Sequence, residues 1–117
     1  MKNENTNIKR IEVGTILEGD FGATMQLPAF YKVVAITASG KSAKIRRMAT
    51  ANVTSDGGWT GTCVPDEGCW HRADAGVETK RIHLASWDCR NPYEYVTIRG
   101  HMFHPWDGGP AYFDPWD

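Results

Sequence analysis

The feature that most constrains this chain is FYKVVAITASGKSAKIRRM, residues 30–48, in which two apolar-rich runs flank Ser39-Gly40. Apolar residues recur in it with a period of two, the period of a β-strand. A two-residue turn at Ser39-Gly40 sets Val34 opposite Ile45 and Ile36 opposite Ala43. Tyr31, Val33 and Ala35 then share the other face with Lys44 and Arg46. One face is apolar and one is partly charged, as a half-buried antiparallel hairpin requires. A slip of one residue would expose Ile45 and bury Arg46, so the pattern selects its register.

Nowhere do apolar residues recur at i, i+3, i+4 and i+7 over three turns, and short β-prone runs alternate with turn residues. The expectation is an all-β or mostly β fold: a small twisted antiparallel sheet, or the same sheet rolled into a partly open SH3-like barrel. Residues 11–18 supply a first strand with Val13, Ile16 and Leu17. Residues 19–29 form a loop whose Phe21, Met25 and Leu27 fold back on the core. After the hairpin, Asp56-Gly57-Gly58 marks a turn, and residues 55–79 are expected to be a long irregular loop with a short strand at 62–64 that Pro65 ends. Residues 80–84 and 93–99 are further strands, with Ile82, Leu84, Val96 and Ile98 facing inwards. The tail, residues 101–117, holds three prolines and five aromatic residues. Its prolines argue against a central strand, and it is expected to wrap over the sheet and bury Trp106, Tyr112 and Phe113.

With 117 residues the chain divides into a polar, flexible leader at 1–10 and one β-rich domain at 11–117. A net charge of −1 gives no general attraction to nucleic acid or anionic membrane. No apolar run approaches the roughly 20 residues of a membrane span. Three cysteines, an odd count, fit a reducing cytoplasm better than a disulfide framework.

Cys63, Cys69, His71, His83 and Cys89 fall close together in sequence, but Cys63 to Cys69 and Cys69-Trp70-His71 lack the spacing of a zinc knuckle. His101 and His104, near Asp107, fall on opposite faces of an extended strand. With no nucleophile elbow and no phosphate-cradling loop, neither an enzyme nor a cofactor is expected. Two binding readings are left. In the first, Trp59, Trp70 and Trp116, beside Asp56, Asp66, Glu67, Asp114 and Asp117, form a rim that grips a protein partner, with Trp116 also suited to a homodimer contact. Trp87 and Trp106 are then the core tryptophans. In the second, Tyr31, Lys44 and Arg46 on one hairpin face stack and neutralise a single nucleic-acid strand, as small β-barrels do.

VGTILEGDFG, the 30–48 hairpin, the central Val64-Pro65, YVTI and PWDGGPAYF resemble, in order over most of residues 13–113, a set of small proteins from bacteriophages and conjugative elements. The chain departs from that set at Ala23-Thr24-Met25-Gln26-Leu27, where the family carries a polar Tyr-Asp-Gln-Thr-Asn segment. The resemblance implies a mobile-element protein acting in the host cytoplasm. Its implied role is non-enzymatic inhibition of a host defence complex, of the anti-CRISPR type, by binding a host protein or ribonucleoprotein effector.

Overall fold

The computed structural model describes residues 9–22, 27–56, 60–85 and 92–113, with the backbone alone for 52–56, 60, 112 and 113. These form nine strands and no helix: β1 (Ile16–Asp20), β2 (Pro28–Ile36), β3 (Ser42–Asp56), β4 (Thr60–Trp70), β5 (Val77–Arg81), β6 (His83–Ala85), β7 (Tyr93–Ile98), β8 (His101–Pro105) and β9 (Ala111–Phe113). The strands pair antiparallel in the order β6-β7-β8-β1-β2-β3-β4-β9, with β5 added on β3. The all-β expectation holds, in its sheet form: the path is not closed into a barrel.

β3 is the spine. Its first half pairs with β2 and β5 and its second half with β4. Only Ile82 separates β5 from β6, so one run of chain binds β3 with its first part and β7 with its second. That shared run rolls the sheet around its inner face. Leu17, Ala29, Tyr31, Val33, Ala43, Ile45, Val96, Ile98 and Phe103 form the cluster there, joined by Ile11 and by half-buried Phe21, Ile36 and Ile82. A second cluster on the other face joins Phe30, Met48, Cys63 and Ala111 to Ile16, Trp70 and Trp106. Each large apolar side chain so buried contributes roughly 1.5–3 kcal/mol.

The hairpin register follows the expectation next to the turn, where Ile36 pairs with Ala43 and Ala35 with Lys44. It then shifts. A bulge between Val33 and Ala35 pairs Val33, not Val34, with Ile45. Val33 is buried as a result, while Val34 is 37% exposed. An extra residue in one strand reverses the facing of everything beyond it. Tyr31 therefore joins the inner face, opposite Arg47, while Lys32 pairs with Arg46.

Four further expectations are corrected. Residues 55–79 are mostly strand, since β3 runs on to Asp56 and β4 spans Thr60–Trp70. Pro65 is tolerated there because, among the described residues, β9 pairs with Gly61, Thr62 and Cys63 and no ladder forms on that edge of β4 at Pro65. The start of the tail is a central strand, β8, between β7 and β1, with Pro105 at its very end. Val13, at 65% exposure, lies in a turn before β1, and Leu84 is half exposed on the short β6. Val96 and Ile98 are fully buried and Ile82 packs on the core, as expected. Lys9 and Arg10, the end of the expected leader, are tied to β7: the Glu94 N–H donates to the Lys9 carbonyl at 2.8 Å, and Arg10 pairs with the Glu94 carboxylate at 3.8 Å.

Gly19 on β1 is required for space. A Cβ there would lie 2.6 Å from Cγ of the fully buried Phe103 ring. Gly19→Ala must displace that ring and is expected to cost about 1–3 kcal/mol, seen as a lower urea midpoint.

Candidate functional site

Arg47 is the next inward-facing position of β3 after Ala43 and Ile45, where the apolar row ends. Its guanidinium lies over the Phe21 ring, 5.3 Å from the centroid. Arg99 reaches the same ring from the β7–β8 turn, at 5.2 Å. Phe21 is held in turn by Phe103 (5.1 Å between centroids) and by the edge of His101 (5.4 Å). Two like charges thus share one ring, each gaining about 0.5–1 kcal/mol or more from its π face.

The segment 71–76, between β4 and β5, forms the third wall. The His71 N–H donates to the Arg47 carbonyl at 3.0 Å, and Arg46 donates from Nη2 to the Ala73 carbonyl at 3.3 Å. Arg46 itself stacks on Trp70, 4.3 Å from the ring centroid, on the sheet's other face. The result is a cavity of about 300 Å³ lined by Tyr31, Arg47, His71, Arg72, Ala75, Gly76, Glu78 and Arg99.

The charges around it are unequal. Arg72 pairs with Asp74 at 3.2 Å, and Glu78 with Lys80 at 3.5 Å. Among the described residues, Arg47 and Arg99 form no ion pair. Burial pushes the Tyr31 phenol above its usual range, against the pull of Arg47 and Arg99, so it remains a protonated donor at neutral pH. His71 is held below its ordinary value by desolvation and then by the charges of Arg47 and Arg72. The cavity is a place where an anion would relieve repulsion.

Comparison with protein-family models, with curated proteins and with solved structures finds no match. Function is therefore argued from this geometry.

A second cavity, about 480 Å³, is lined by Glu18, Asp20, His101 and His104 with Pro28, Met102 and Pro110. Asp20 Oδ1 accepts from the N–H groups of Gly22 (2.7 Å) and Leu27 (2.9 Å), which clasps the loop that carries Phe21. Among the described residues, no three histidine, cysteine or acidic groups are placed to hold a metal ion. Glu18, paired across the ladder with His104, has its carboxyl pushed up by burial, a shift that His104 opposes and Asp107 reinforces. A raised carboxyl favours the folded state below the unfolded pKa and loses that contribution as pH rises through the folded value. Glu18→Gln is therefore expected to raise the thermal midpoint at pH 7, with the gain vanishing towards pH 4.

Trp59, Trp116, Asp114 and Asp117 lie outside the described residues, as do Trp87 and Cys89, and Asp56 is described by its backbone alone. Trp70 is half buried beneath Arg46, Asp66 is half buried and Glu67 is exposed. Cys63 is buried and Cys69 exposed, both as free thiols. The nucleic-acid trio is not assembled. Tyr31 is 1% exposed on the inner face, whereas Lys44 and Arg46 alternate onto the other, because the bulge reversed β2 against the expected register. Trp106 packs against Phe30 at 6.0 Å, as its core role anticipated. Arg99 and Phe21, which the geometry adds to the candidate site, were not among the expected site residues. Arg47 stands next to Arg46 of the expected trio in sequence but on the opposite face of β3.

Proposed function

We propose that this chain is a non-enzymatic binding protein that holds an oxyanion of its partner at Arg47 and Arg99. The supporting observation is the pair of guanidiniums on one Phe21 ring, facing a cavity and without a carboxylate partner among the described residues. Such a site binds rather than turns over: arginine keeps its charge at neutral pH and the Tyr31 phenol keeps its proton. In the setting that the mobile-element resemblance implies, the partner is a host protein or ribonucleoprotein of a defence complex. Both classes present carboxylates or phosphates, and occupying them would inhibit. The sign of this contact is opposite to that of the acidic rim expected from the sequence.

The test is thermal unfolding in sodium sulfate against sodium chloride at matched ionic strength. Bound sulfate stabilises the folded state by mass action, on top of its general salting effect. The wild-type midpoint should rise more than that of Arg47→Met, which keeps the stem and loses the charge. Equal rises in the two chains would overturn the reading.

A further inference from the structure

We infer that the oxyanion taken by the Arg47–Arg99 cavity is a phosphoryl dianion, the main form of a phosphomonoester at neutral pH and one of the two forms of free phosphate there. This rests on the binding role proposed above and adds the charge and shape of the ligand. The charge follows from the neighbours. Arg72 and Glu78 have counter-charges in Asp74 and Lys80, which leaves Arg47 and Arg99 as two cations with no ion pair among the described residues. A carboxylate or a phosphodiester brings one negative charge, whereas a phosphomonoester brings about 1.5 to 2 at pH 7.

Shape points the same way. The two guanidiniums come from different elements, the β3 strand and the β7–β8 turn, yet each lies over the same Phe21 ring and both line one cavity. A planar carboxylate is satisfied by a single guanidinium fork. A tetrahedral group with three terminal oxygens engages two forks and still offers an oxygen to the Tyr31 hydroxyl, since Tyr31 lines the same cavity as both arginines.

A third observation is independent of charge. Arg99 has φ +52° and Gly100 φ +82°, between the paired residues Ile98 and His101. Two positive φ values in a two-residue hairpin are the type I′ pattern, which favours Asn-Gly. Arginine is strained there, and its side chain is exposed at a surface turn where core packing does not require it. What that side chain does reach is the Phe21 ring, and Arg99 itself lines the cavity beside Arg47.

The test is calorimetric titration near pH 7.5, above the second ionisation of a phosphomonoester at about 6. The ligands are phenyl phosphate, inorganic phosphate, methyl phenyl phosphate and benzoate, each against wild type, Arg47→Met and Arg99→Asn. Phenyl phosphate should bind about tenfold or more tightly than its methyl diester or benzoate, and Arg99→Asn should shrink that preference to within about threefold. Inorganic phosphate binding as tightly as phenyl phosphate supports the dianion and assigns free phosphate as a sufficient ligand; weaker phosphate assigns the ester. Equal, Arg47-dependent binding of monoester, diester and benzoate would overturn the dianion while leaving the oxyanion role intact. Absence of any Arg47-dependent binding would overturn both.

Discussion

Replacing Arg99 with Asn is expected to leave the fold at least as stable as before while weakening anion binding roughly tenfold to a hundredfold. The two effects separate because they arise in different parts of the residue. The backbone of Arg99 sits at φ +52°, in a region that costs most L-residues about 1–2 kcal/mol and that Asn tolerates better. Asn should recover up to about 1 kcal/mol of that, raising the urea midpoint. The guanidinium contributes charge-assisted hydrogen bonds, each worth about 1.5–3 kcal/mol, and 1.4 kcal/mol is a factor of ten in affinity. Urea denaturation and phosphate titration of the same preparation check both halves. A chain that lost stability and binding together would show that Arg99 holds the turn instead of a ligand.

The second large effect is expected at Phe103. Phe103→Ala should destabilise the protein by about 3–5 kcal/mol, a large share of the 5–15 kcal/mol that holds a domain of this size together. The ring is fully buried, meets Tyr31 edge-on at 5.3 Å and Phe21 at 5.1 Å, and covers the space over Gly19. Removing it leaves a cavity walled by β1, β2 and β8 that the ladders prevent from collapsing. It also removes the support beneath Phe21, so phosphate affinity should fall even where the variant remains folded. Phe103→Leu should cost about 1.5 kcal/mol or less. A midpoint shift for Phe103→Ala equivalent to less than about 1 kcal/mol would contradict the packing described here.

Much of the fold was legible, for reasons particular to its elements. The 30–48 hairpin announces itself through strict alternation, and near the turn its pairing is the expected one, Ile36 with Ala43. The bulge was not legible, because Val33 and Val34 are the same residue type and nothing local says which is the extra one. β4 was hidden for another reason. It contains Gly61, Pro65 and Gly68, and its ladder with β3 shifts register between Met48 and Ala49 and again between Asn52 and Thr54, so no period of two survives. β8 was hidden by Pro105, which reads as a strand breaker but stands where the strand ends.

The site was less legible than the fold. Arg47, Arg72 and Arg99 are far apart in the chain and meet only because β3, the 71–76 segment and the β7–β8 turn surround one end of the inner face. Composition pointed the other way, since a net charge of −1 conceals a local excess of cations. One available signal was Arg99-Gly100 between two apolar runs, an unusual residue in a hairpin position suited to Asn. A second was Phe21, isolated in a glycine-rich loop, where a ring can serve as a platform as well as core.

The most direct test is to soak crystals of the protein in tungstate, a tetrahedral dianion that marks itself by anomalous scattering. The prediction is one strong peak beside Phe21, within hydrogen-bonding reach of both the Arg47 and Arg99 guanidiniums. Those arginines paired instead with carboxylates of the chain, and no peak between them, would contradict it.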